Sequence, residues 1–146
     1  MDPREFYRIA EKIALGSPSP RPAWCRTAIG RAYFGALNVA VDSLARLGVD
    51  CDQGPQKHGK AVAFLYASGD APIKTASAML DYLKSVRNHA DYHLERTDVD
   101  TLRHARQAVE RARDVISYLD EFEADPRRHD LVTQNIEAYI KKIRKP

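Results

Sequence analysis

Apolar residues recur along this chain at steps of three and four, and almost nowhere at the step of two that marks a half-buried strand. The clearest run lies between about residues 21 and 47. There Ile29, Tyr33, Ala36, Leu37, Ala40, Leu44 and Leu47 share one helical face, and Gly48 supplies a stop. A second stripe, Ile73, Ala76, Met79, Leu80, Leu83, Val86 and Ala90, predicts a helix from Pro72 to about Leu94. A third, Val99, Leu102, Ala105, Val109, Ala112, Ile116 and Leu119, predicts one to about Glu123, with Thr97 as its N-cap and Asp98 and Asp100 in its first turn. Shorter patterns predict helices over about 3–15, within "KHGKAVAFLYASG", and over about 127–144.

Punctuation agrees with periodicity. Asp2-Pro3, Ser19-Pro20, Asp70 with Pro72, and Asp125-Pro126 each set a capping side chain before a proline suited to a first turn. The linker "SPSPRP" ends the first helix, because no helix crosses it intact. At 1.5 Å per residue the three longest helices reach roughly 35 to 40 Å, so they match in length and can lie side by side. The expected fold is all-α: an up-and-down bundle of four to five helices plus a C-terminal helix, in one domain over residues 1–146.

Composition narrows the class without naming a function. Of 146 residues, 44% are apolar and 29% charged, which excludes a disordered chain. No apolar run is long enough to span a bilayer, and the first residues are not those of a secretory signal, so a soluble, cytoplasmic protein is expected. Cys25 and Cys51 form no CxxC pattern and are expected to be idle or buried thiols. A net charge of +3 is too mild to announce nucleic-acid binding by itself. The arginines from Arg103 to Arg113 and the basic tail read as solvated helix faces.

Candidate chemistry concentrates in "SVRNHADYHLERTD", residues 85–98. Arg87 and Asp91 are four apart on one face, as are His89 and His93, whereas Arg87 and His93 point about 120° apart on a straight helix. Three readings follow. In the first, Arg87 and Asp91 are an ion pair and the histidines are exposed decoration. In the second, the HxxxH pair holds a metal, with a third ligand imported from His58 or His104. The third is metal-free phosphodiester chemistry: an arginine binds phosphate by parallel hydrogen bonds, and an imidazole, with an ordinary pKa of about 6.5, moves protons.

The third reading gains from a resemblance. "RTAIGRAYFGALNVAVDSLARLG", "KHGKAVAFL" and "LDYLKSVRNHADYHL", in that order over about residues 21–120, resemble the HEPN domains of bacteria and archaea, particularly a branch with an R-x-x-A-D-Y core. The R-x(4–6)-H motif of that family, with a polar residue after the arginine, is matched by Arg87, Asn88 and His93. The resemblance implies a helical bundle that dimerises so that both motifs line one cleft. Many such domains are metal-independent endoribonucleases of toxin or defence type. Arg87 would hold the phosphate, His93 would transfer protons, Asn88 would orient either group, and Asp91 and Tyr92 would support them. No cofactor and no metal is expected. The expected partners are RNA, a second copy of the chain, and an antitoxin or nucleotidyltransferase. The other reading the family allows is a non-catalytic module binding nucleotide, RNA or such a partner. Tyr92 departs from the Rx4HxY pattern of toxins modified by a nucleotidyltransferase, since it stands directly before the histidine; it serves equally as a core or seam aromatic. Arg26 and Arg31 flank the apolar face of the second helix, as candidates for an RNA-facing cleft or for surface salt bridges. His58 is expected to cap a helix start in preference to a catalytic role, and Trp24 to lie in the core.

Overall fold

A computed structural model describes residues 1–16 and 21–145; the Ser19-Pro20 cap lies outside them. Within them the chain forms α1 (Arg4–Gly16), α2 (Pro22–Arg46), α3 (Lys57–Ala67), α4 (Ala71–Tyr92), α5 (Leu102–Glu123) and α6 (His129–Ile143), with no strand among the described residues. The fold is an all-helical bundle, as the periodicity predicts.

Contacts between distant residues give the directions of the helices. Gly35 of α2 lies against Tyr7 of α1, and Arg106 of α5 donates to the Ala14 carbonyl oxygen of α1. Arg26 and Arg46, at the two ends of α2, pair with Asp100 and Glu123 at the two ends of α5. Gly30 and Phe34 of α2 meet Asp91 and Arg87 of α4. Thus α1, α2, α4 and α5 alternate in direction around one core, while α3 packs on α4 and carries α6 on its side.

α2 is the central helix because small residues line most of its circumference. Ala28, Gly30, Ala32, Gly35, Ala36 and Ala40 are all buried, so α1, α4 and α5 can each approach its backbone closely. Gly35 shows how closely: a Cβ there would stand 2.8 Å from the Tyr7 backbone nitrogen. The helix ends in a Schellman turn, with Gly48 at φ +80° and the Val49 N–H donating to the Leu44 carbonyl oxygen.

Several ends follow local chemistry. The Asp2 carboxylate accepts from the Arg4 backbone N–H at 2.9 Å, and Asp70 accepts from the Ile73 N–H at 3.2 Å, each satisfying an orphan donor of a first turn. Asp70 also takes two hydrogen bonds from Arg128, at 2.6 and 2.8 Å, tying the start of α4 to the start of α6. The hydrogen bonds from Arg128 outweigh the opposing effect of burial and hold the Asp70 carboxyl below the usual carboxylate range.

Two expectations are corrected. Thr97 opens a 3₁₀ turn over Thr97–Asp100, and the cap of α5 is Thr101, whose hydroxyl accepts from the His104 N–H at 3.3 Å. Val99 stays buried because that extra turn points it inward. Trp24 is 55% exposed, not in the core. It stands five residues before Ile29, about 140° around the helix from the buried face. Both cysteines are free and buried. No described helix is long and apolar enough to cross a membrane.

Candidate functional site

The end of α4 carries the quoted motif, and α2 builds its surroundings. Arg87 lies half-buried in the α2–α4 groove with its guanidinium against three rings, 5.0 Å from the Phe34 centroid, 5.2 Å from Tyr92 and 5.7 Å from Tyr33. Its Nε is 2.7 Å from Asp91 Oδ2 but is not aligned for a hydrogen bond, so this contact is mainly Coulombic. The two terminal nitrogens make only long contacts, 3.5 Å to Asn88 Oδ1 and 3.5 Å to the Tyr92 hydroxyl. The fork is therefore held in place by aromatic faces and one carboxylate while retaining donors for an anion. Tyr92 is 67% exposed, which removes the core role and leaves it at the surface beside Arg87.

His93 is the residue at which α4 stops. Its φ of −123° and ψ of 78° leave the helical region two residues before the expected end, although its N–H still donates to the His89 carbonyl oxygen. The side chain is 51% exposed, and its Nδ1 bonds Glu95 Oε1 at 3.0 Å. With Nδ1–H donated to a carboxylate, the neutral ring keeps its lone pair on Nε2. The Glu95 carboxyl is held below its ordinary range by its own backbone N–H and by His93.

His89 and His93 meet edge to face with centroids 5.7 Å apart. The metal reading finds no third donor: no group of three or more His, Cys, Asp or Glu among the described residues is arranged to hold an ion. His104 Nδ1 is instead bonded to the Thr101 hydroxyl, and Arg96 donates to His89 Nε2 at 3.3 Å, which sets a cation where a metal would have to sit.

Arg26 proves to be a structural clasp and not an open RNA ligand. Its side chain is 11% exposed, its Nε is paired with Asp100, and its terminal nitrogens donate to the carbonyl oxygens of His89, Ala90, His93, Leu94 and Arg96. These include the orphan carbonyls of the last turn of α4. The backbone carrying His93 is thus fixed from α2. Arg31 forms no salt bridge among the described residues; its guanidinium lies 5.3 Å from the Phe6 centroid and 5.1 Å from that of Phe34.

His58 is not a helix cap. It is 7% exposed, with Nδ1 3.0 Å from the Tyr33 hydroxyl and Nε2 3.2 Å from Asp81 Oδ1. Asp81 accepts the Nε2 proton, and the Tyr33 hydroxyl donates to Nδ1. This chain fixes the Tyr33 ring on which Arg87 rests. Burial pushes the His58 pKa down, against the hydrogen bond it donates to Asp81.

Within one chain the motif does not close. Arg87 faces Phe34 and Tyr33, whereas His93 faces Glu95 and His89, and no hydrogen bond joins the two. Sequence reasoning missed Glu95, Phe34 and Tyr33. Glu95 was visible as a carboxylate two places after the histidine; the aromatic bed had no signal in the sequence beyond ordinary core periodicity. No family model, curated protein or solved structure matches the chain.

Proposed function

We propose that the protein is a metal-independent endoribonuclease of the HEPN type, acting as a symmetric dimer in a toxin or defence role. The observation that carries this reading is the state of His93: an exposed imidazole at a helix end, oriented through Nδ1 by Glu95, with Nε2 free to exchange a proton. The aromatic bed that holds the Arg87 fork open for an anion supports it.

In the proposed reaction Arg87 binds the scissile phosphate and stabilises the charge that builds on its oxygens. His93 Nε2 of one protomer takes the proton of the ribose 2′-hydroxyl as that oxygen attacks phosphorus. The protonated His93 of the other protomer delivers a proton to the departing 5′-oxygen. The products are a 2′,3′-cyclic phosphate and a free 5′-hydroxyl, and the two imidazoles have exchanged protonation states. One histidine per chain supplies one of these services, which is why the dimer is needed. Asn88, 3.5 Å from the Arg87 fork, orients the phosphate.

The test is RNA cleavage by wild type, Arg87→Ala and His93→Ala with a chelator present, alongside sedimentation to read the oligomeric state. The reading expects a dimer that cuts RNA, with activity lost in both variants. Equal activity in all three rejects these assignments. Activity abolished by chelation and restored by zinc would favour the His89–His93 pair as a metal site. RNA binding without cleavage would indicate a non-catalytic module, whose partner would be a nucleotide, RNA or an antitoxin.

A further inference from the structure

Arg31 combines two properties that seldom occur together. It is half-buried, with its guanidinium close to two phenyl rings, yet it makes no ion pair and donates no hydrogen bond among the described residues. An arginine fixed in this way has already lost rotamer freedom and keeps its donors unsatisfied. Arg87 approaches the same Phe34 ring at 5.0 Å, so the two guanidinium carbons lie within about 10 Å of each other. A third cation follows along α2. Lys57 donates to Asn38 Oδ1 at 2.6 Å, Asn38 in turn donates to the Phe34 carbonyl oxygen, and Lys57 has no carboxylate partner among the described residues.

These groups lie on one stripe. Trp24, Thr27, Arg31, Phe34 and Asn38 follow each other at steps of three and four, a face of α2 that neither α1 nor α4 covers fully. It extends over about 20 Å, with the exposed Trp24 at one end. The exposed Asp42, one turn beyond Asn38, closes the other end with negative charge. Interleaved cations and an exposed indole over that length suit an extended polyanion with flat bases better than a single small anion.

We propose that this stripe is a binding track for single-stranded RNA, with Arg31 and Lys57 on backbone phosphates flanking the scissile one and Trp24 stacking on a base. The proposal rests on the ribonuclease reading for its polarity toward Arg87.

The test uses a fluorescent single-stranded RNA of about ten nucleotides with 2′-O-methyl riboses, which binds but cannot be cut. Wild type is compared with Arg31→Gln, Lys57→Gln and Trp24→Ala, all checked for folding by circular dichroism and for oligomeric state by sedimentation. Each variant is expected to bind about tenfold more weakly at moderate salt, and the two charge variants to lower the salt slope by about one. Unchanged affinity, or duplex RNA binding equally well through the same residues, overturns the track. A change of oligomeric state in the variants also overturns it and assigns the stripe to an interface between copies. Because the probe is not cleaved, the two proposals separate. Stripe-dependent binding by a protein that cuts no RNA leaves the track and removes the ribonuclease. Cleavage with stripe-independent binding does the reverse.

Discussion

Arg26 on α2 donates to the Ala90 carbonyl oxygen on α4 over 2.8 Å, joining residues 64 positions apart. The same guanidinium reaches four other carbonyl oxygens between His89 and Arg96, so one side chain neutralises the negative end of α4 and pins the turn that presents His93. The proposed proton-transfer group is positioned from a neighbouring helix.

Replacing Arg26 should therefore loosen that turn. Arg26→Met keeps the bulk of the stem but leaves these carbonyls and Asp100 without their partner. We expect a loss of roughly 3 kcal/mol in chemical denaturation. Hydrogen exchange should locate the damage: the His93 and Arg96 amides, which donate to the His89 and His93 carbonyl oxygens, should exchange faster than those in the middle of α4. Uniform loss of protection across the bundle would contradict a local clasp.

Glu95→Gln should act on His93 alone. Removing the carboxylate leaves Nδ1–H without its acceptor, so the ring is no longer held with Nε2 presented. Cleavage at neutral pH should fall about tenfold through lost orientation. Affinity for the uncleavable oligonucleotide should stay unchanged. A cleavage rate equal to wild type would show that the Glu95 contact plays no part.

Two glycines of α2 should respond oppositely to alanine. At Gly35 the new methyl would stand 2.8 Å from the Tyr7 backbone nitrogen, and α1 must move to admit it. Stability should fall by about 2 kcal/mol. At Gly30 the nearest atom is Asp91 Oδ1 at 3.7 Å, an ordinary contact. There the gain in helix propensity, up to about 1 kcal/mol, should leave the melting temperature equal or higher. Equal effects at the two sites would mean that α1 and α2 are not packed as closely as Gly35 indicates.

His58 should give the fold a pH dependence of known sign. Its pKa is lowered in the folded protein by burial, so between that value and the ordinary 6.5 the unfolded chain binds more protons than the native one. Stability from this group is fully present above about pH 6.5 and declines as pH falls below it, levelling off once the folded pKa is passed. Melting temperatures between pH 7.5 and 5.5 should drop for wild type and drop less for His58→Gln. This window lies above the range in which the paired carboxylates of Asp70 and Glu123 are protonated. Parallel slopes for the two proteins would exclude His58 as the source.

What could be seen in the sequence was local. The stripes from Ile29 to Leu44 and from Ile73 to Ala90, the Asp70 cap and the Gly48 stop each depend on residues within a turn or two, so periodicity and capping sufficed to place the helices and set Arg87 beside Asp91. What the tertiary structure decided was which faces meet. Trp24 looks apolar enough for a core, but its phase on α2 turns it outward. Arg26 and Arg31 are alike in the sequence, yet one caps α4 while the other lies against phenyl rings. His58 is next to a glycine in the chain and next to Tyr33 and Asp81 in space. Such outcomes depend on packing between segments tens of residues apart, where each side chain finds partners that its neighbours along the chain do not specify.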